Sequence, residues 1–446
     1  MNSFDVICIG AGPTGLACAI EAKRAGLRPV VIDKGCLCNS LYHYPMNMQF
    51  FTTAERMEIG DLPLTTADAK PSRPEALKYY RRAAEHYGLE TRLYERVSKI
   101  DGRDGAFVVH TTDAYDRPHE YHGRKIIIAT GYYDLPNRMD IPGEDLPFVS
   151  HYFTDPHPYW EQDVVVIGAR NSAAEAALEL FRAGAHVTLV HRGSAVGEKL
   201  KYWVKPDIEN RIRAGEIKAL FNHCVTRFEP GRVYVVPVTT TGANADLAQR
   251  GEASQADVQS RTGVSSQSDA DEFRRGGSEP ARRGGTRPGE QVEAGTFRPP
   301  KEAGTNQGAL APAESGGRFG GRSFSSDMQG GTSMRALAPE ASDAGRSAEK
   351  ILPAAQVFAM TGYHPDFTFL MQQGIHLDPV TRRPQVNPDS LETNVPGIHV
   401  AGVVVGGLQT SDIFIENGRF HGKEIIAALT GKGRITEPAP VSPPGE

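Results

Sequence analysis

Two glycine-rich segments carry the residue types and spacings that bind dinucleotides. The first, Gly10–Gly15 (GAGPTG), matches G-x-G-x-x-G between a strand pattern and a helix pattern, and Asp33 ends the next strand pattern. Gly10 would permit the tight turn, Gly12 the close approach of backbone to a pyrophosphate, and Gly15 the packing of helix against strand. The helix N-terminus attracts phosphate, and Asp33 would accept hydrogen bonds from an adenosine ribose. The segment therefore predicts a dinucleotide site.

The second segment is Gly168–Ala173 (GARNSA), in which Arg170 replaces the middle glycine and Ala173 the last. Alanine is accepted at the last position of this motif. The strand pattern that follows ends in His191 and Arg192, with no acid. A carboxylate there binds the ribose hydroxyls of NAD, whereas an arginine suits the 2′-phosphate of NADP. We therefore predict an NADPH site, with a solvated arginine at a strand end as the alternative interpretation.

The elements that must position these segments form two repeating units. Each unit has an apolar strand pattern, a glycine turn, a helix pattern ended by glycine, and a second apolar strand pattern. Strands that alternate with helices in this way indicate a parallel sheet. We predict an α/β fold with two Rossmann-like dinucleotide-binding domains, whose strand, helix and strand segments are 5–9, 16–25 and 29–32 in the first unit and 163–167, 173–183 and 186–190 in the second.

A long polar segment separates two later strand patterns, 232–238 and 350–360. Residues 239–349 are rich in Gly, Ser, Arg and Glu and contain no Ile, Tyr, Trp or Cys. Such a composition buries too little apolar surface to offset the entropy of ordering the chain. We predict a disordered insertion in the loop between two strands, with a partner-binding role as the less favoured alternative, and a disordered tail at 436–446.

Composition excludes several classes of function. The net charge of −5 gives no reason to expect a nucleic acid or an anionic membrane as partner. No apolar run approaches the ~18 residues of a membrane span, and residues 4–9 lead into glycines without the features of a signal peptide. The five cysteines have no spacing typical of a disulfide framework or a metal site. We therefore expect a cytoplasmic protein without a metal centre.

The chain resembles the flavoproteins of thioredoxin reductase type, and within them the bacillithiol disulfide reductases. The resemblance covers about residues 4–238 and 350–430. Its specific segments are GAGPTG, YHYP (42–45), EIGDLP (58–63), IATGYYDLPN (128–137), HPYWEQDVVVIGARNSAAEAALEL (157–180), FAMTGYHPDFTFL (358–370) and IFIENGRFHG (413–422). Several of these segments are long and idiosyncratic, which makes the resemblance specific.

The resemblance implies that FAD binds the first glycine segment and NADPH the second. It also implies that an NADPH domain at 153–358 is inserted into an FAD domain made of 1–152 and 359–435. The expected FAD contacts are Gly10, Gly12, Pro13, Thr14, Gly15, Asp33, Lys34, Tyr42, Thr130, Gly131 and Gly402. The expected NADPH contacts are Gly168, Arg170, Asn171, Ser172, Ala173, His191 and Arg192.

One position departs from the resemblance and leaves the electron acceptor open. The related reductases carry a cysteine where this chain has Thr14, and threonine cannot form a mixed disulfide. Cys18 lies one helical turn further on, where helix geometry makes it a poor substitute. Three functions remain: reduction of a low-molecular-weight disulfide, reduction of ferredoxin or flavodoxin by NADPH, and a flavin-bearing redox sensor or scaffold. The expected assembly is a homodimer.

Overall fold

A computed structural model of the chain describes residues 3–238 and 349–431. The predicted insertion (apart from Glu349) and the predicted tail lie outside the described residues. The strands that flank the insertion are β13 (Arg232–Pro237) and β14 (Lys350–Pro353). They pair antiparallel as neighbours, with Arg232 opposite Pro353. The prediction that the long segment joins two strands is therefore confirmed.

The first sheet has seven strands and forms around the N-terminal strand. Its order is β3-β2-β1-β6-β5-β4, and β17 lies beside the end of β6. Strands β3, β2, β1, β6 and β17 pair parallel, whereas β4 and β5 pair antiparallel. The strands are β1 (Ser3–Ile9), β2 (Pro29–Asp33), β3 (Glu90–Leu93), β4 (Glu95–Arg103), β5 (Ala106–Asp113), β6 (Pro118–Ile128) and β17 (Ile398–Val400).

The second sheet has five parallel strands in the order β11-β10-β9-β15-β8. These strands are β8 (Val149–Ser150), β9 (Asp163–Ile167), β10 (His186–Val190), β11 (Lys218–Leu220) and β15 (Gln356–Ala359). A three-stranded antiparallel sheet adds β12 (His223–Glu229) to β13 and β14, and β7 (Leu135–Pro136) pairs with β16 (Tyr363–His364). The predicted α/β class with two parallel dinucleotide-binding units is confirmed.

Helices cover the sheets and begin where the sequence provides helix starts. Pro13 occupies the first turn of the N-terminal helix, where its missing N–H costs no hydrogen bond. Ser72 and Glu75 form a capping box, in which each side chain accepts the other residue's backbone N–H. The helices are α1 (Pro13–Arg24), α2 (Asn39–Tyr42), α3 (Arg73–His86), α4 (Asn171–Arg182), α5 (Lys205–Arg213), α6 (Phe367–Gln372), α7 (Ile415–Gly418) and α8 (His421–Thr430), with 3-10 turns at Ala54–Met57, His157–Tyr159 and Gly402–Gly406.

The central strands are apolar and buried towards their carboxyl ends, where both faces of each sheet are covered. Ile7, Cys8 and Ile126–Ile128 have no exposed surface in the first sheet, and Val164–Val166 are almost fully buried in the second. Burial of each large aliphatic side chain contributes about 1.5–3 kcal/mol to folding. These strands are therefore rigid supports for the loops at their carboxyl ends.

The predicted strand at 350–360 is two strands that belong to different sheets. Ala354 donates its N–H to the carbonyl of Gly231, whereas Ala355 donates to the carbonyl of Asp163 at the start of β9. The chain changes partner strand between these two residues, and Pro353 cannot donate to a ladder. The domain boundaries remain predictions, and β8 belongs to the second sheet although it lies before the boundary at 152/153.

Candidate functional site

Two glycines of the first loop are required by the protein itself. Gly10 has φ +112°, and a Cβ there would lie 2.3 Å from the carbonyl oxygen of Ala129. A Cβ on Gly15 would lie 1.9 Å from the carbonyl oxygen of Gly10. Both contacts are far inside van der Waals distance, so only glycine lets β1, β6 and α1 meet here. The roles predicted for Gly10 and Gly15 match this packing.

Gly12 is different, because the protein gives no reason for a glycine at that position. Its φ of −74° is open to every residue, and a Cβ there would meet nothing within 4 Å. The open space lies at the N-terminus of α1, where unpaired N–H groups attract phosphate. A side chain would fill the space that a pyrophosphate needs. This cradle fits the predicted FAD.

Asp33 braces the first loop with its carboxylate. Oδ2 accepts the N–H of Ala11 at 2.7 Å, and Oδ1 accepts the N–H of Gly35 at 2.8 Å. Burial raises the pKa of Asp33, and these two N–H groups act in the opposite direction. A carboxylate has about four acceptor positions, so two remain for a ribose. Asp33 therefore serves the loop as well as the predicted ligand, a role that the motif alone did not show.

A cleft of about 660 Å³, open solvent included, runs from the first loop along the edge of the sheet. Of the predicted FAD contacts, Gly10, Asp33, Lys34, Thr130 and Gly131 line it. Sequence reasoning missed the rest of the wall except His364, which lies in the family-like segment 358–370; this part of the wall comes from three separate segments. These additional lining residues include Glu95, Arg96, Val97, Tyr132, Asp134, His364, Asp366 and Phe369.

Lys34 and Tyr42, two of the predicted FAD contacts, differ in their relation to this cleft. Lys34 forms an ion pair with Asp134, with 2.8 Å between Nζ and Oδ2. Tyr42 ends α2, is 55% exposed, and lies outside the residues that line the cleft. The N–H of Cys38 nevertheless holds the start of α2 against the carbonyl of Ala11 at 2.9 Å. The predicted contact of Tyr42 with FAD stays a prediction.

Thr14 lies against the C-terminal segment of the chain. A Cβ built on Gly402 would be 3.0 Å from its Oγ1, and one built on Gly418 would be 3.1 Å from it. His421 fixes this segment, since its Nδ1 accepts the N–H of Gly402 at 3.0 Å. Burial lowers the pKa of His421 to about 4, so the ring is neutral at pH 7. His421 lies in the family-like segment 413–422, but the sequence gave no sign of this bond.

The second loop repeats the backbone hydrogen bonds of the first. Gly168 donates to the carbonyl of Val190 at 3.0 Å, and Gly197 donates to the carbonyl of Ala169 at 2.9 Å. Gly168 has φ +118°, and a Cβ there would lie 2.7 Å from the carbonyl oxygen of Met360. The scaffold of a nucleotide loop is therefore present twice.

Positive charge gathers at the second loop. The pKa of His191 is lowered first by burial and then by the charges of Arg192 and Arg170. Asn171 accepts the backbone N–H of Lys201 through Oδ1 at 2.9 Å, so its side chain holds the neighbouring loop. Ser172 is exposed at the start of α4. Two arginines beside a helix N-terminus suit an anionic group such as a nucleotide phosphate.

None of the five cysteines is activated as a thiolate. Burial raises the pKa of Cys8 to about 12 and raises those of Cys18 and Cys38 well above the ordinary value. The pKa values of Cys36 and Cys224 are raised too, again mainly by burial. A reactive thiol needs a lowered pKa. None of the five thiols therefore has the lowered pKa that marks a reactive cysteine.

Residues 3–238 and 349–431 were searched for metal-binding groups and for membrane-spanning helices. No group of three or more His, Cys, Asp or Glu side chains there is arranged to hold a metal ion. Among the helices of this part of the chain, none has both the length and the apolar character needed to cross a bilayer.

Comparison with known proteins gives full-length relatives. The chain is 33% identical to bacilliredoxin reductase Bdr from Bacillus subtilis (strain 168) over 96% of this chain and 98% of the relative. The structure of bacillithiol disulfide reductase Bdr from Bacillus cereus superposes with a TM-score of 0.70 at 31% identity, covering 96% of this chain and 99% of that one. A thioredoxin reductase from T. acidophilum shares the fold, with a TM-score of 0.57 at 18% identity, over 97% and 99% of the two chains.

The family model described as pyridine nucleotide-disulphide oxidoreductase matches residues 7–251 and 334–402. These ranges contain both glycine loops, Asp33, Arg192 and Gly402. The structure places these residues at the carboxyl ends of parallel strands in the two sheets. The chain therefore belongs to the pyridine nucleotide-disulphide oxidoreductase family.

Proposed function

We propose that this oxidoreductase uses NADPH and FAD to reduce a low-molecular-weight disulfide of the bacillithiol type. NADPH, a proton and one disulfide give NADP⁺ and two thiols, so two electrons and two protons enter the S–S bond. The flavin supplies a two-electron carrier between the nucleotide and the disulfide. The observation that carries the proposal is the open cradle at Gly12, together with full-length similarity to two proteins named Bdr.

The residues of the first loop bind and orient the flavin nucleotide. The N-terminus of α1 and the space at Gly12 receive its pyrophosphate, and the free acceptor positions of Asp33 receive a ribose. The cleft beside them accommodates the adenosine end. Thr14 and Gly402 face each other where the C-terminal segment closes over α1.

The second loop selects the nicotinamide nucleotide. His191 occupies the position that Asp33 has in the first loop, and Arg192 is the next residue. Arg170 contributes a second positive charge. An arginine pairs with the 2′-phosphate of NADPH through two parallel hydrogen bonds, whereas NADH offers only a hydroxyl there. NADPH is therefore the proposed reductant.

Disulfide reduction in this chain proceeds without a protein thiol. All five cysteine thiols have raised pKa values, and Thr14 stands where the related reductases are expected to carry a cysteine. The disulfide must therefore take its electrons directly from the flavin site. Turnover is expected to survive treatment of the native enzyme with a thiol-alkylating reagent.

The same absence of a thiol favours a second function, an NADPH-dependent ferredoxin or flavodoxin reductase. A ferredoxin–NADP reductase from Ignicoccus hospitalis is 29% identical, over 49% of this chain and 64% of its own length. Such an electron transfer needs no redox cysteine. The full-length relatives named Bdr make it the weaker candidate.

An anaerobic acceptor panel tests the proposal. The purified flavoprotein is mixed with NADPH and with bacillithiol disulfide, ferredoxin, flavodoxin or no acceptor. We expect NADPH oxidation to be fastest with the disulfide and to yield two thiols per NADPH. Faster reduction of ferredoxin or flavodoxin, with no thiol released, would establish the second function instead.

The proposal also includes a homodimer, which is the commonest assembly of soluble enzymes. Size-exclusion chromatography with light scattering checks it at working concentration. We expect a mass near twice the 48.4 kDa of one chain, and a mass near that of one chain would contradict the dimer.

A further inference from the structure

Large aromatic side chains are exposed together with lysines at one place in the fold. Tyr202 is 80% exposed, Trp203 42% and Phe414 38%. The rings contact one another or a lysine: Phe414 meets Phe51 edge-on at 5.0 Å between centroids, and Tyr202 meets Trp203 edge-on at 4.8 Å. We call the set the aromatic–lysine surface; its residues are Phe51, Lys70, Lys201, Tyr202, Trp203 and Phe414.

The two lysines join the aromatic pairs into one surface. The ammonium of Lys201 lies 5.6 Å from the ring of Phe51 and 5.7 Å from that of Trp203, and Lys70 lies 4.2 Å from the ring of Trp203. Lys201 also pairs with Glu175 at 2.7 Å. Lys70 forms no ion pair with any carboxylate in the described residues. Glu175 compensates the charge of Lys201, so Lys70 supplies the uncompensated positive charge of the surface in a chain whose net charge is −5.

The aromatic–lysine surface touches both nucleotide loops. At one edge, the backbone N–H of Lys201 donates to Asn171 at the start of α4. At the other edge, Phe414 immediately precedes α7, and Gly418 at the end of α7 contacts Thr14. The four residues of α7 span about 6 Å, which is roughly one helical turn. The surface therefore begins one turn from Thr14, the position where the resemblance implies a cysteine in the related reductases.

We propose that the aromatic–lysine surface docks a small redox protein that presents a disulfide framed by apolar and acidic side chains. This proposal rests on the proposed disulfide reduction. Exposed aromatic side chains supply the anchors of protein interfaces, and lysines at the edge attract an acidic partner. Four successive contacts, between two rings or between a ring and an ammonium group, connect Phe414 to Tyr202. A surface of this extent suits the face of a protein better than a single small molecule.

The direct test measures binding, independently of turnover. The probe is oxidised bacilliredoxin, the protein after which the Bacillus subtilis relative is named. It is titrated in a calorimeter into the FAD-loaded wild-type enzyme and into the Lys70→Glu and Trp203→Ala variants. We expect each substitution to weaken binding tenfold or more, and high salt to weaken the wild type towards the Lys70→Glu value. Lack of binding by the wild type, or equal binding by all three proteins, would overturn the docking surface.

The chain offers a matched control on the hairpin between β5 and β6. Tyr115 is 78% exposed, and the guanidinium of Arg117, which also pairs with Asp113, lies 5.1 Å from its ring, so this is another exposed ring with a nearby cation. Tyr115→Ala and Arg117→Glu should leave bacilliredoxin binding unchanged. A loss equal to that of Trp203→Ala and Lys70→Glu would show a general charge or surface effect and would overturn the proposal.

Turnover measurements separate this proposal from the proposed function. Lys70→Glu and Trp203→Ala should lower kcat/KM for bacilliredoxin at least tenfold while reduction of bacillithiol disulfide and of the bound flavin by NADPH is unchanged. Equal losses with both disulfides would place these residues in general catalysis and contradict the docking role. If the wild type binds bacilliredoxin but reduces no disulfide, the docking surface stands and the proposed function fails.

Discussion

The two glycine loops share one backbone scaffold and differ in charge. The N–H of the first glycine donates to the end of the next strand in both, from Gly10 to Ile32 and from Gly168 to Val190. The carbonyl of the following alanine accepts a loop N–H in both, with Ala11 paired to Cys38. Identical hydrogen bonds in two separate sheets show that the scaffold itself does not decide which nucleotide is bound.

Side chains at matching places make the difference. Asp33 ends β2 and accepts the N–H of Ala11, whereas the same place after β10 holds His191, followed by Arg192. The open space at Gly12 has Arg170 as its counterpart. One loop is braced by a carboxylate, and the other is surrounded by positive charge. The comparison supports the proposal that the first loop accepts a ribose and that the second binds a phosphate.

The largest effect is expected from filling the contact between helix and strand in the first loop. Gly15→Ala places a Cβ 1.9 Å from a carbonyl oxygen, so α1 must move away from β1. We expect the purified variant to lack flavin and to lose about 3 kcal/mol of stability, measured by flavin absorbance and urea unfolding. Ala173→Gly, the matched change in the second loop, should cost only about 1 kcal/mol and keep the flavin. Equal losses of stability and flavin in the two variants would contradict the different roles given to the two loops.

Gly12→Ala separates ligand binding from folding in the same loop. The added methyl meets no protein atom within 4 Å, so the unfolding of the flavin-free protein should be unchanged. FAD affinity should fall at least tenfold, because the methyl fills the pyrophosphate space. Titration of the flavin-free protein with FAD measures this effect. Unchanged affinity would contradict the cradle.

The next effect concerns His421, which closes the C-terminal segment over the first loop. Its pKa is lowered from an ordinary value near 6.5 to about 4, so the folded state disfavours the protonated ring. The stability it contributes is complete above pH 6.5 and is lost as pH falls towards 4, amounting to about 3 kcal/mol. Urea unfolding between pH 4 and 7 should show this loss.

A variant isolates the contribution of His421 from that of other groups. Asparagine keeps an acceptor near Gly402 and does not titrate, so His421→Asn should unfold with a smaller pH dependence between 4 and 6.5. An unchanged pH profile would show that another group causes the loss.

A tenfold to hundredfold effect is expected at the second loop. Arg192→Glu removes the proposed partner of the 2′-phosphate and adds a repelling charge, which should raise KM for NADPH by that factor. KM for NADH should change less than threefold, and flavin content should be normal. Steady-state rates with both nucleotides give the comparison. A parallel rise for NADH would mean that Arg192 supports the loop and does not select the nucleotide.

The smallest change tests the second residue of the helix that follows each glycine loop. Thr14→Cys and Ser172→Cys place a thiol in matching positions at the starts of α1 and α4. A helix N-terminus lowers the pKa of a thiol. We expect Thr14→Cys alone to give long-wavelength charge-transfer absorbance with the flavin and a mixed disulfide with substrate. The same absorbance in Ser172→Cys would contradict the assignment of flavin to the first loop.

The sequence predicted those parts of the site that depend on local backbone. Gly10, Gly15 and Gly168 were identifiable because each meets a backbone carbonyl just beyond the end of a strand, at a distance that only glycine permits. Most of the remaining cleft wall was not, because Glu95 and Asp366 reach it from segments hundreds of residues apart. The bond between His421 and Gly402 also joins two segments whose meeting no local pattern reports.

The fold shows the same division. Two parallel units were predictable because apolar runs and glycine turns recur at a fixed spacing. The break between β14 and β15 was missed because residues 350–360 read as one apolar run, although Ala354 and Ala355 donate to different strands. Pairing partners, which lie far away in sequence, determine such breaks.

We propose above that the flavin at the first loop passes electrons from NADPH to a disulfide without a protein thiol. The most direct measurement is anaerobic stopped-flow: the native enzyme is alkylated, reduced with one equivalent of NADPH, and mixed with bacillithiol disulfide. We predict rapid return of oxidised flavin absorbance at the rate of the unalkylated enzyme, with two thiols released per flavin. Flavin that stays reduced in the presence of the disulfide, with or without alkylation, would contradict direct electron transfer from the flavin to the disulfide.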